Sequence, residues 1–127
     1  AIVHFRRANV VHMGDTFFRD RFPFIDTASG GSIDGVIAAA GAALAVMDAD
    51  TKVIPGHGAL STREDVRTYR DALKTMRDQI AGMMAQGRGL EGIQAARPAR
   101  VYAQRWNQDE AAERSFVETL YRSLEGR

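Results

Sequence analysis

The sequence predicts an α/β domain whose segments run in the order β-β-α-β-α-α. Three observations carry this. Short β-prone runs stand at the N-terminus and again at residues 52–54, apolar residues recur at the helical period between and after them, and 127 residues suit one domain spanning 1–127.

The elements follow in order. Ile2 to Phe5 and Asn9 to Met13 are β-prone runs separated by Arg6-Arg7-Ala8, as in a hairpin or two neighbouring strands, the second ending at Gly14-Asp15. Residues 16–31 read as irregular, with Phe17, Phe18, Phe22 and Phe24 among charges, Pro23 against helix, and Ser29-Gly30-Gly31-Ser32 as pliant backbone. Ser32 can cap a helix with Ile33, Val36, Ile37, Ala40, Leu44 and Met47 on one face; Gly35 and Gly41 within it suggest close packing. Lys52-Val53-Ile54 is a short strand ended by Pro55, and Gly56-His57-Gly58 is a tight turn. Ser61 as N-cap and Glu64 three residues on form a capping box. The helix they open places Val66, Tyr69, Leu73, Met76, Ile80 and Met83 on one stripe and ends at Gly87 and Gly89. A helical turn at Leu90 to Ala95 runs into Pro98, and a last helix opens at Asn107 to Glu110, with Phe116, Val117, Leu120, Tyr121 and Leu124 on one side.

Composition narrows the function classes. With 45% hydrophobic and 26% charged residues the chain has the balance of a soluble globular domain. The absence of cysteine removes disulfide scaffolds, thiolate metal sites and cysteine nucleophiles, so any metal must be held by His, Asp or Glu. A net charge of +1 gives no overall field to draw the protein onto nucleic acid or an anionic membrane, so neither is an expected partner. The weakly polar stretch Ile33 to Met47 is too short to span a bilayer. Arg88, Arg97, Arg100 and Arg105 with Tyr102 and Trp106 could form a binding patch, but the aromatics read better as anchors of the tail on the core. The chain opens on Ala1-Ile2-Val3 with no initiator Met, as expected of a fragment or processed chain.

Of the three histidines, His57 is the informative one. It lies between two glycines just after a strand, so a sharp turn can present its imidazole at the strand's C-terminal edge, where ligands of α/β proteins bind. Asp15 follows Gly14 in the matching place on another strand. A carboxylate and an imidazole on adjacent strand ends make half of a site for Zn, Mn or Fe. The plainer reading is that Asp15 caps a turn and His57 bonds to backbone. His12 precedes Asp15 by three positions, so strand alternation assigns it to the opposite face, and His4 reads as an ordinary strand residue.

The blocks Asn9-Val10-Val11-His12-Met13-Gly14-Asp15-Thr16-Phe17-Phe18, Pro23-Phe24-Ile25-Asp26 with Ser29-Gly30-Gly31-Ser32, and Val53-Ile54-Pro55-Gly56-His57-Gly58 resemble the C-terminal half of a metallo-β-lactamase-fold hydrolase. The tail is similar to that of the superfamily's cyclase-like and quinoprotein-associated members. The resemblance implies the second half of an αββα sandwich. It also implies a dinuclear site, commonly zinc, with Asp15 as bridging carboxylate and His57 as the last histidine ligand, activating water against an ester, thioester, lactam or similar bond of a small-molecule substrate. Phe17, Phe18, Phe24, Asp26, Ser29 and Gly30 would lie near the mouth as substrate-binding residues. The family's upstream His-x-His-x-Asp-His cluster is absent from the sequence, so the isolated chain is expected to be inactive. The missing layer would come from an upstream half or a second copy, and half a sandwich would expose an apolar sheet face that favours self-association. The alternative is a non-catalytic binding or assembly module that keeps the fold.

Overall fold

Asn9, in a left-handed conformation (φ 54°), closes the turn that folds β1 (Val3–Phe5) back against β2 (Val10–Phe18). The computed structural model describes residues 2–125, and among these four strands form one mixed sheet in the order β1-β2-β3-β4. β3 (Lys52–His57) runs parallel to β2, while β1 and the two-residue β4 (Ser61–Thr62) pair antiparallel to their neighbours. A parallel pair needs a crossover, and α1 (Ile33–Ala45) supplies it. Four further helices follow β4: α2 (Arg63–Ala85), α3 (Leu90–Ala96), α4 (Arg100–Arg105) and α5 (Glu110–Glu125). The architecture is mixed α/β.

Strand alternation divides the sheet. Val11, Met13 and Val53 point into a core shared with Ile33 and Leu44 of α1, Leu73, Met76 and Ile80 of α2, and Phe116 and Leu120 of α5. Val3, Phe5 and Ile54, in register with His12 and Val10, lie on the opposite face and stay exposed. The helices therefore cover one side of the sheet. No helix among the described residues is long and apolar enough to cross a membrane.

Several expectations change. β2 does not end at Gly14-Asp15: β-prone Thr16, Phe17 and Phe18 continue it, and Gly14 (φ 56°) makes an irregularity instead of a stop. β3 passes through Pro55, which faces Gly14 at a break in the ladder where a missing N–H is tolerated. The capping box lies one residue later than the sequence suggests. Thr62 accepts from the Asp65 N–H (3.2 Å) and Asp65 Oδ2 from the Thr62 N–H (2.8 Å), because Ser61 pairs with Val53 in β4. A Cβ on Gly41 would meet open space, and one on Gly35 only the Ser32 hydroxyl, so these glycines do not mark close packing. α4 is an additional helix. Trp106 at its end is buried and packs on Phe22 (5.5 Å), anchoring the tail as expected. Arg97 and the buried Glu113 (2% exposed) join in a two-pronged ion pair (2.7 and 3.1 Å) that fastens α3 to α5.

A polar knot closes the end of the sheet remote from Gly14. Asn9 Nδ2 donates to Asp48 Oδ1 (3.0 Å), Thr51 Oγ1 donates to Asn9 Oδ1 (2.8 Å), and the Asp50 N–H donates to Asp48 Oδ1 (2.9 Å). The Asn9 bond, helped by the Asp50 N–H, holds the Asp48 carboxyl below its ordinary pKa. A depressed folded-state value means stability is present above the unfolded pKa of about 3.9 and lost as pH falls through the folded one. The denaturation midpoint of wild type should therefore exceed that of Asp48→Asn by a constant margin from pH 7 to about 5, and the margin should shrink below about pH 4. A margin independent of pH would contradict the knot's charge-dependence.

Candidate metal centre

Asp15 owes its position to a bulge. From Gly14 to Phe18 β2 advances four residues while β3, from Pro55 to His57, advances two, so residues between Gly14 and Phe18 arch out of the ladder. Bulges re-aim side chains, and this one leaves the Asp15 carboxylate 79% exposed. The His12 Nδ1 accepts from the Gly14 N–H (3.0 Å) and the Thr16 hydroxyl donates to the Met13 carbonyl (2.6 Å), which brace the arch on both sides.

His57 arrives from the neighbouring strand. Its Nε2 lies 3.7 Å from Asp15 Oδ1, its side chain is 52% exposed, and its ring stacks on Phe18 (4.8 Å, 22°). The close approach depends on Gly56. A Cβ there would collide with the Gly14 carbonyl oxygen and come within 2.6 Å of Asp15 Oδ1. An ion about 2.1 Å from each of two tetrahedral donors holds them about 3.4 Å apart, so this carboxylate and imidazole fit two positions of a zinc coordination shell. Among the described residues no third His, Asp or Glu joins them into a group of three.

The structure brings together some of the sequence's site residues and separates others. Phe18 lies directly beneath His57. Phe24 is 75% exposed and forms the rim of a groove that Phe18 also lines. Phe17 is 1% exposed and meets Tyr69 edge-to-face (4.9 Å), so it supports the site from the core and offers no surface to a substrate. Asp26 accepts from the Ser29 N–H (3.2 Å) and caps a short 3₁₀ turn that Gly30 closes in a left-handed conformation (φ 92°). Asp26, Ser29 and Gly30 thus shape the lead-in to α1. His4 sits in β1 opposite Val11. The alternation that would turn His12 away from Asp15 is interrupted at Gly14, and His12 serves the Gly14 corner instead.

Arg19 escaped the sequence reading. Its N–H donates to the His57 carbonyl (3.0 Å), and its guanidinium donates to the Leu60 carbonyl (2.9 Å), Ser61 Oγ (3.1 Å) and Asp65 Oδ2 (3.1 Å). Backbone and side chain together thereby tie the end of β2 to His57, to the segment that follows it and to the first turn of α2. Its Cβ would touch any Cβ placed on Gly58 (2.7 Å), whose φ of 108° already favours glycine. Arg19 and Tyr69 line one small cavity, and burial pushes the Tyr69 pKa well above the ordinary phenol value.

No known family model matches the sequence, and no curated protein matches it as a relative.

Gly56→Ala should cost about 1–3 kcal/mol in urea denaturation, the range for overpacking a tight contact. Gly82→Ala, where a Cβ meets open space on a helix, should be neutral or stabilising. Equal effects at the two positions would contradict a steric requirement at Gly56.

Proposed function

We propose that this chain is the C-terminal half of a metal-dependent hydrolase of the metallo-β-lactamase fold, with Asp15 and His57 as two of its metal ligands. The observation that supports the reading is the pairing of an exposed carboxylate and an exposed imidazole 3.7 Å apart, across strands whose contact requires the glycine at position 56. Zinc, when bound, would supply Lewis-acid activation of water and of the scissile bond of an ester, thioester, lactam or similar group. The residues of this chain would do the rest. Asp15 and His57 would hold the ion, Phe18 would fix the imidazole plane, and Arg19 would keep the His57 backbone in place. The remaining ligands would come from an upstream His-rich half.

Zinc titration followed by the ring nitrogens of His57 tests the ligand pair. The Asp15 and His57 signals should move together, and Asp15→Ala should weaken the response about tenfold or more. A response at His4 or His12 with His57 unmoved would contradict the assignment. In a protein that also contains the upstream ligands, Asp15→Ala and His57→Ala should each lower kcat/KM by about 100-fold or more.

The open sheet face favours a second reading, a non-catalytic assembly module. Val3, Phe5 and Ile54 there form the kind of surface that a second copy buries. Sedimentation should then show self-association at micromolar concentration that Phe5→Lys abolishes. A monomeric wild type would count against it.

A further inference from the structure

A groove of about 260 Å³ runs between residues 18–25 and α5, starting at Phe18. Its floor is aromatic. Phe22 stacks on Phe116 (4.6 Å, 14°), Ile25 is buried beside them, and Phe24 stands on the rim. α5 contributes Ala112, Ser115 and Thr119, the last with its hydroxyl turned onto its own helix at the Ser115 carbonyl (3.0 Å). Arg21 is the single charged residue along this lining, and among the described residues no ion pair engages it, whereas the neighbouring Arg19 and Asp20 are paired with each other.

We propose that this groove binds a small organic anion with an apolar, preferably aromatic, body, and, resting on the hydrolase reading above, that it is the substrate subsite beside Asp15 and His57. Aromatic walls favour a ring through area and edge or offset stacking. A guanidinium at the edge of an apolar channel answers one carboxylate through charge-assisted hydrogen bonds, and no carboxylate stands in the lining to pair with a cation. The groove also adjoins the candidate centre, because Phe18 both lines it and stacks on the His57 ring. At about 30 Å³ per water-sized group the space holds roughly nine such groups, the size of a phenylalkanoate.

The test uses the metal-free chain and 3-phenylpropanoate, with 3-phenylpropan-1-ol and 3-phenylpropylammonium as comparators of the same body. Binding is followed by backbone amide shifts. The acid should move Phe24, Ser115 and Thr119 and bind about tenfold more tightly than the alcohol, and the ammonium should bind least. Arg21→Gln should remove the advantage of acid over alcohol. Ser115→Trp, which fills the groove from an exposed position, should abolish binding with the denaturation midpoint unchanged. Equal binding of all three compounds, shifts elsewhere than the groove, or no shifts would overturn the proposal. Because no metal is present, acid binding here combined with failure of the zinc titration at His57 would uphold the anion site and remove only the hydrolase reading; zinc binding without acid binding would do the reverse.

Discussion

The contact between two backbones that lack side chains governs this molecule's functional edge. The Gly14 carbonyl of β2 lies against Gly56 of β3 at a distance that no Cβ on Gly56 would permit. That closeness brings Asp15 and His57 within 3.7 Å, although they sit forty-two positions apart in sequence. Parallel pairing alone would not achieve it. The ladder between these strands slips twice, and both slips involve Gly14, so the strand that carries Asp15 arches out toward the imidazole.

Around this contact the fold distributes its rigidity unevenly. The Arg19 guanidinium binds the Leu60 carbonyl and Ser61 hydroxyl after His57 and Asp65 at the start of α2, and His12 braces the corner that precedes Asp15. Behind them lies a buried core of Phe17, Tyr69 and Leu73. In front, the Asp15 carboxylate and the His57 imidazole remain open to solvent. A site that is held from behind and open in front is suited to receiving a ligand whose own bonds complete it.

Much of this was legible in the sequence, and the exceptions have physical causes. The stripes of α2 and α5 were readable because their period is local, whereas the Gly-His-Gly segment was misread as a turn: Gly56 and His57 complete β3 beside β2, and the chain bends only from Gly58. The capping box shifted by one position because Ser61 with Glu64 and Thr62 with Asp65 both satisfy the pattern. A tertiary contact, the pairing of Ser61 with Val53, decided between them. The extension of β2 was hidden because Gly14 can either stop a strand or bulge it, and only β3 beside it makes the difference. α4 has no side-chain cap to announce it, since Ala99 precedes it. Arg19 could not be singled out, because Leu60, Ser61 and Asp65, which its guanidinium binds, lie more than forty residues away.

The apposition of Asp15 and His57 is the claim on which the rest stands, and carbon-edited NOE spectroscopy on the metal-free chain reads it directly. The account predicts cross-peaks from the His57 ring protons both to the Phe18 ring and to the Asp15 β-protons. A His57 ring that shows neither, with contacts to other residues instead, would contradict it.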